Sequence, residues 1–290
     1  MYEKLEECPL CGFSSHSNHI IVDDHSHSKE SFAIVQCQKC LLLYTNPRPD
    51  KEAIGAYYEN ENYISHTDNS NNLTNLIYKV ARHFTLNWKK RLITNYSTEK
   101  RMLDYGCGTG DVLAHMKQSN WETTGVEPSE SARNKAISKG LTVYPELTKD
   151  LKEKYNVITA WHVVEHIHDL IDTIRALRKL LKDDGKLLIA VPNCASYDAQ
   201  HYQAYWAGYD VPRHLYHFTP ETMQALATKT KMKIQETIPM KLDAFYVSLL
   251  SEKYIGNKLA MLRGFKTGLK SNQKAKQTGN YSSLIYVLTK

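Results

Sequence analysis

Four of the six cysteines in this 290-residue chain fall into two pairs, Cys8-Pro-Leu-Cys11 and Cys37-Gln-Lys-Cys40. Each pair has C-x2-C spacing, in which one tight turn aims two thiolates at a common centre. Two such turns suit tetrahedral Zn²⁺, and four thiolates leave no open position for water, so the predicted role is structural. Gly12 gives the first turn a free backbone. The 25 residues between the pairs accommodate a hairpin, with strands predicted over His19–Val22 and Ser31–Val35. His16, His19, His25 and His27 lie in that gap and are read as part of a solvated loop rather than as ligands.

A second group of residues points to a nucleotide-like ligand. Gly106, Gly108 and Gly110 follow the short strand Arg101–Tyr105, and glycines there let a backbone lie close against a bound molecule. A dinucleotide fingerprint requires glycine or alanine at 111, where Asp111 stands instead, which speaks against an NAD site. Asp104, at the strand end, can accept a hydrogen bond from an ammonium group. Glu127 ends the next strand, where a carboxylate can take both hydroxyls of a ribose.

A third group is suited to proton transfer. The run from His201 to Phe218 is dense in aromatics and bases, including Tyr202, Tyr205, Trp206, Tyr209, Arg213, His214 and His217. Histidine is the natural base near neutral pH, and an arginine fork suits an anionic acceptor. His214, His166, His217 and Arg213 are therefore the candidate catalytic residues. His162-x-x-Glu165-His166 forms a second cluster.

These residues need a frame, and the pattern from Arg101 onward supplies one. Strands are predicted at 101–105, 121–127, 141–144, 155–159 and 185–191, alternating with helices at 109–119, 129–139 and 170–181. This alternation specifies an α/β fold with a parallel sheet, whose ligands bind beyond the carboxyl ends of its strands. Ser129 reads as a helix N-cap, and Thr219-Pro220 as another helix start. A longer helix is expected from Leu73 to Ile93, with Leu73, Leu76, Ile77, Val80 and Phe84 on one face. Ala53, Ile54, Tyr57, Tyr58, Asn62 and Tyr63 read as helical and polar before it. The chain divides into a zinc module at 1–60, a helical linker or lid at 61–98, and a catalytic domain at 99–290 with insertions at 194–218 and 239–282.

In order and spacing, Asp104-Tyr-Gly-Cys-Gly-Thr-Gly110, Gly125-Val-Glu127-Pro-Ser, Tyr155-Asn-Val-Ile and Val164-Glu165-His166 resemble the successive motifs of class I S-adenosylmethionine (SAM)-dependent methyltransferases over residues 100–235. The resemblance implies a Rossmann-like, seven-stranded sheet whose final pair is Met232–Ile238 and Ser283–Leu288, the last strand antiparallel. It implies SAM as cofactor, held by Asp104, Tyr105, Gly106, Cys107, Gly108, Glu127 and Pro128, with Trp161 and His162 beside it. The four-cysteine head is similar to that of zinc-headed methyltransferases acting on deoxysugars. These carry an acid-histidine pair where this chain has Arg213-His214, so the histidine matches and the acid does not. His162-x-x-Glu165-His166 resembles the Glu-x-x-Glu-His stretch of quinone-pathway O-methyltransferases, with histidine in the first position.

Bulk properties narrow the remaining choices. Net charge is +6 and 42% of residues are hydrophobic, which fits a globular protein and does not by itself specify nucleic acid. The N-terminus lacks a basic region followed by an apolar one, and no apolar run reaches membrane-spanning length, so a cytoplasmic protein without membrane partners is expected. From Lys253 to Lys290 there are eight Lys or Arg and no Asp or Glu. Asp243–Tyr254 reads as a helix, and Gly264–Gly279 as a polar, basic, mobile segment. The leading reading is methyl transfer to a small polar metabolite, such as a sugar or an anionic molecule. The alternatives are an RNA methyltransferase gripping its substrate with the zinc module and basic tail, and a SAM-binding scaffold without turnover.

Overall fold

The computed structural model describes residues 1–58, 73–148, 151 and 154–290, and for 73–83 it describes the backbone path alone. The chain begins with five short strands, β1 (Tyr2–Glu3), β2 (His16–Asp23), β3 (Ser31–Cys37), β4 (Leu43–Thr45) and β5 (Arg48–Pro49). Helix α1 (Leu73–Asn95) leads into a run of β6 (Arg101–Tyr105), α2 (Asp111–Lys117), β7 (Glu122–Val126), α3 (Glu130–Ser138), β8 (Thr142–Tyr144), β9 (Tyr155–Trp161), α4 (Leu170–Leu180) and β10 (Leu181–Pro192). Then come α5 (Tyr197–Tyr202), β11 (Tyr216–His217), α6 (Pro220–Lys229), β12 (Lys233–Pro239), α7 (Asp243–Tyr254), α8 (Ala260–Thr278) and β13 (Ser283–Thr289).

Seven strands form the central sheet in the order β12-β13-β10-β9-β6-β7-β8. β6 pairs parallel with β7 and β9, and β9 with β10, whereas β13 runs antiparallel to both neighbours. The strand alternation sorts side chains onto two faces. Leu103, Ile158, Leu187 and Ile189 meet Leu170, Ile174 and Leu177 of α4. Met102, Val157 and Leu188 meet Leu113 and Met116 of α2 and Ala136 of α3. Covered on both faces, β9 is buried at every position, as a central parallel strand must be. Caps fall where expected: Ser129 accepts from the Ala132 amide, and Thr219 and Thr222 form a reciprocal cap on α6 with Pro220 in its first turn.

The N-terminal module is not closed on itself at residue 60. Its four-stranded sheet has the order β11-β4-β3-β2, and β11 comes from the insertion at 194–218. Tyr216 pairs with Tyr44, and His217 with Leu43. Val22, Phe32, Ile34 and Leu43 of this sheet pack on Tyr202, Trp206, Tyr209 and Val211 of the insertion. The small sheet thereby becomes the roof of the aromatic segment.

The segment 264–279, read as mobile, is instead mostly helix α8. Its glycines and polar residues weaken helix propensity, but Gly264, Gly268, Ser271 and Ala275 form one buried stripe. A Cβ on Gly264 would come within 2.7 Å of the Leu249 Cα, so α7 and α8 pack through backbone-level contact. Ser271 also donates to the buried Asp198 at 2.6 Å. Tertiary packing overrides propensity here. Asn62 and Tyr63 lie outside the described residues, as do the side chains of Leu73, Leu76, Ile77 and Val80, and Phe84 is exposed. Among the described residues no helix is long and apolar enough to cross a membrane.

Candidate functional site

The carboxyl end of β6 turns sharply back toward β7. Gly106 (φ 71°) and Cys107 both donate to the Val126 carbonyl, at 2.8 and 3.1 Å. A Cβ at Gly106 would sit 2.4 Å from a Val163 methyl, whereas a Cβ at Gly108 (φ 53°) would meet nothing within 4 Å. The loop is thus closed on its protein side at Gly106 and open at Gly108. The Gly108 amide donates to Glu127 Oε2 at 2.8 Å and the Ser129 amide to Oε1 at 2.9 Å, which fixes the carboxylate while each oxygen retains acceptor capacity.

Asp104 lies buried beneath this loop and accepts from the Thr159 hydroxyl at 2.6 Å. Burial lifts its carboxyl to a pKa of about 6, against the opposing pull of Thr159 and of Lys89. Lys89, from α1, holds its ammonium 4.2 Å from the centre of the Trp161 ring, and burial lowers its pKa. Among the described residues the buried Trp161 indole N–H has no hydrogen-bond partner. This pocket therefore already accepts a cation between an aromatic face and a carboxylate. A ribose-competent carboxylate, an open glycine and a cation pocket together fit SAM. Of the other expected cofactor residues, Tyr105 is engaged with Thr173, Cys107 packs on Gly125, and Pro128 is exposed with its carbonyl bonded to Arg133.

Beyond β9 a second cluster assembles. His162 has φ 53°, an uncommon backbone state for a residue with a side chain, and its amide donates to Ala190 O at 2.9 Å. Its Nδ1 lies 3.5 Å from Glu165 Oε1 and its Nε2 3.2 Å from Asp243 Oδ2. Burial opposes the charge, but the two carboxylates prevail and raise its pKa to about 9, so His162 is an imidazolium at neutral pH. Glu165 is wholly buried and, among the described residues, has no hydrogen bond of ordinary geometry; burial resists its ionisation, and the surrounding His162, His214 and His166 lower its pKa nonetheless. His166 Nδ1 lies 2.9 Å from both the Arg213 carbonyl and the Tyr58 hydroxyl. Burial and the neighbouring His214 push its pKa down to about 4, leaving it neutral.

His214 stacks edge-on against His166, ring centres 4.6 Å apart. Its Nδ1 is 2.9 Å from the Gly208 carbonyl, which can only accept, so that nitrogen donates and the ring orientation is fixed. Asp210 Oδ2 lies 3.9 Å from Nε2. Glu165, His166 and His214 bring ligand-type atoms within 4.8 Å of one another.

Two expected residues do not join this cluster. His217 sits in β11, buried, with Nε2 3.3 Å from Thr45 Oγ1 and its ring edge-on to Tyr209; burial drives its pKa well down. It packs the small sheet on the aromatic insertion. Arg213 is also buried and its fork is fully engaged: Nη2 meets Asp24 Oδ1 at 3.0 Å and Asp210 Oδ1 at 2.7 Å, Nε meets Asp210 Oδ2 at 3.1 Å, and Nη1 meets the Tyr57 carbonyl at 3.2 Å. No donor is left over for an anionic acceptor. The guanidinium instead ties the β2–β3 turn to the loop that carries His214. Sequence reasoning missed Tyr58, Lys89 and Asp243 as neighbours of the site, because each arrives from an element distant in the chain; the pairing of Arg213 with Asp210, three residues away, was legible.

The four paired cysteines converge as the spacing requires. Cys8 Sγ lies 3.5 Å from Cys40 Sγ, Cys11 Sγ lies 3.5 Å from Cys37 Sγ, and all four sulfurs fall within 4.8 Å of one another. Zn–S bonds of about 2.3 Å set tetrahedral edges of about 3.8 Å, so the donor set fits a closed Zn²⁺ site. None of His16, His19, His25 and His27 joins the cluster; His25 stacks on Tyr254 with ring centres 4.6 Å apart. A cleft of about 310 Å³ lined by Tyr96, Glu99, Asn156 and Asp184 lies at the amino ends of β6 and β9, the wrong end of the sheet for this chemistry.

The strand order, the antiparallel β13 and the glycine loop over two strand-end carboxylates define the class: a Rossmann-like, class I methyltransferase domain. Residues 78–236, more than half of the chain, match the family model of a methyltransferase domain, and the chain belongs to that family. It is 35% identical over 108 residues to a ubiquinone biosynthesis O-methyltransferase of Haemophilus ducreyi, covering 32% of this chain and 46% of that protein. To the protein of the same name from Histophilus somni it is 34% identical over 113 residues, covering 34% and 48%. The chain therefore spans less than half the length of these curated relatives. Among solved structures it is similar in fold to magnesium protoporphyrin IX methyltransferase from Synechocystis PCC 6803 with bound SAH. The TM-score is 0.55 at 14% identity, over 83% of this chain and 100% of that one.

Proposed function

We propose that the protein transfers the methyl group of SAM to a hydroxyl of a small polar acceptor, with His214 as the base. The observation that carries this reading is the cluster of His214, His166 and Glu165 within 4.8 Å, linked through His162 to the end of β9, whose Trp161 lines the cation pocket. SAM supplies an electrophilic methyl on a sulfonium. When bound, SAM would find in Glu127 an acceptor for its ribose hydroxyls, in Asp104 a carboxylate for its ammonium group, and at the open Gly108 a place for backbone contact. His214 takes the acceptor's proton at Nε2, its orientation fixed by the Gly208 carbonyl, and Asp210 stabilises the imidazolium that forms. His166, neutral and held by Tyr58, packs the base in place. His162, already protonated, is a fixed cation and not a base. With Arg213 engaged by two carboxylates, an uncharged hydroxyl acceptor such as a sugar or phenol is favoured over an anion. The names of the curated relatives, which are O-methyltransferases, support oxygen as the methylated atom.

The cysteine cluster is read as a structural Zn²⁺ site that shapes the small sheet over the acceptor side. A screen of metabolites with labelled SAM, followed by mass identification of the product, tests the transfer reaction. A His214→Gln variant is expected to bind SAM as the wild type does and to lose about 10²–10⁴-fold in kcat. Unchanged turnover refutes His214 as the base.

One observation favours a second reading. The Glu165 carboxylate is wholly buried and short of partners, and with His166 and His214 it offers three ligand atoms to a divalent cation. In that reading the cation orients and polarises the acceptor hydroxyl. Turnover that requires Mg²⁺ or Mn²⁺ and is abolished by EDTA supports it; turnover indifferent to both removes it.

A further inference from the structure

The α7–α8 hairpin packs inward through its smallest residues and leaves its largest ones outside. Gly264 and Gly268 press against Leu249 and Phe245 of α7, so that face is spent on helix–helix contact. On the outer side Met261, Leu262, Phe265 and Leu269 are each half or more exposed, and so are Tyr246 of α7 and Leu242 just before it. Met261, Phe265 and Leu269 follow each other at i, i+4, i+8 and form one ridge along α8. The adjacent ridge continues from Leu262 into Lys266, Lys270 and Lys274 at the same spacing. An apolar ridge beside a basic one, on a helix in a region with no Asp or Glu from Lys253 to Lys290, is not the composition of a surface that only faces water.

We infer that this hairpin docks the protein on an anionic lipid surface. Charge complementarity decides between occupants. An interfacial helix inserts aliphatic and aromatic side chains to the acyl boundary and keeps lysines at the phosphate level, and both requirements are met on neighbouring ridges. RNA has no use for a row of exposed Met and Leu. A second copy related by a twofold axis would bring two basic ridges together. Lys270 also lies over the Tyr197 ring at 5.0 Å, so the basic ridge is continuous with the α5 segment. The hairpin begins at Asp243, whose carboxylate touches His162, so docking would bring one rim of the site to the lipid surface. The inference rests on the surface alone and stands whatever the acceptor is.

The test is flotation of the full chain with vesicles of equal parts phosphatidylglycerol and phosphatidylcholine, and with phosphatidylcholine alone, at low and high salt. Flotation is expected only with the anionic vesicles, and weaker at high salt. Each lysine near such a surface contributes about fivefold, so Lys266→Glu with Lys270→Glu should lower partitioning about 25-fold or more. Phe265→Ser with Leu269→Ser should abolish stable flotation. Phe265 also stacks on Phe245 of α7 with ring centres 5.2 Å apart, so circular dichroism and melting are measured on both double variants, and Met261→Ser with Leu269→Ser, which leaves that stack intact, should likewise abolish stable flotation. Absence of flotation with anionic vesicles, or flotation unaffected by either double variant, overturns the inference. A dimer in light scattering that Phe265→Ser with Leu269→Ser disperses assigns the ridge to self-association instead. Salt-sensitive capture of single-stranded RNA that displaces the vesicles assigns it to nucleic acid.

Discussion

Replacing Asp104 by asparagine should stabilise the cofactor-free protein while weakening its hold on SAM. The Asp104 carboxyl is buried, and its pKa stands near 6 where the ordinary value is 3.8. At about 1.4 kcal/mol per pH unit, keeping it ionised at pH 7 costs the native state up to about 3 kcal/mol. The folded protein binds this proton more tightly than the unfolded chain does. Stability from this group is therefore fully present below pH 3.8 and is lost as pH rises through about 6. Asp104→Asn keeps an oxygen for the Thr159 hydroxyl, 2.6 Å away, and removes the charge. In urea denaturation at a series of pH values, variant and wild type should be nearly equal at about pH 4. The variant should then gain up to about 3 kcal/mol by pH 7, less whatever Lys89 loses with its counter-charge. Calorimetric titration with SAM should show affinity about 10–100-fold weaker, the value of a charge-assisted hydrogen bond in a buried site. A stability difference that is the same at both pH values, or unaltered SAM affinity, would refute the assignment of Asp104 as a strained carboxylate kept for a cationic ligand.

Three further outcomes follow from the same geometry. Gly106→Ala meets both a positive φ and a Val163 methyl at 2.4 Å, and should cost about 2–5 kcal/mol in thermal or chemical melting, whereas Gly108→Ala, with open space around it, should cost about 1–2 kcal/mol and chiefly raise the Kd for SAM. Arg213→Met leaves Asp24 and Asp210 as uncompensated carboxylates, and should destabilise the fold by about 3–5 kcal/mol; an intact melting curve with a raised acceptor KM would instead make Arg213 an acceptor ligand. Elemental analysis of the purified protein should find one zinc per chain, and Cys37→Ser should lose it together with the near-ultraviolet signal of the small sheet; well under one zinc in the wild type sinks the site.

Much of the fold was legible in the chain because its signals are local. The short apolar runs in 101–105 and 155–159, the cap at Ser129 and the Thr219-Pro220 start each depend on a few neighbouring residues, and the strands and helices appear within a few positions of where those signals put them. The C-x2-C pairs were legible for the same reason, since each knuckle is set by its own turn. Helix α8 was not, because Gly264 and Gly268 read as breakers until α7 is there to fill the space above them. The aromatic run around His214 marked that segment as a candidate site, but not which of its side chains would be held by partners from elsewhere in the chain.

That last division has a physical cause. Residue types, order and spacing determined by themselves the parallel sheet, the loop over Asp104 and Glu127, and the four-thiolate cluster, because a strand-turn-helix unit or a cysteine knuckle carries its own geometry. Only tertiary structure decided which partners hold Arg213, His162 and His217. Asp24 crosses from the N-terminal hairpin to occupy Arg213, Asp243 crosses from the C-terminal hairpin to charge His162, and β11 withdraws His217 into a sheet. A side chain's pKa and its free hydrogen-bonding capacity depend on burial and on partners far away in the chain, and these exist only once the fold has closed.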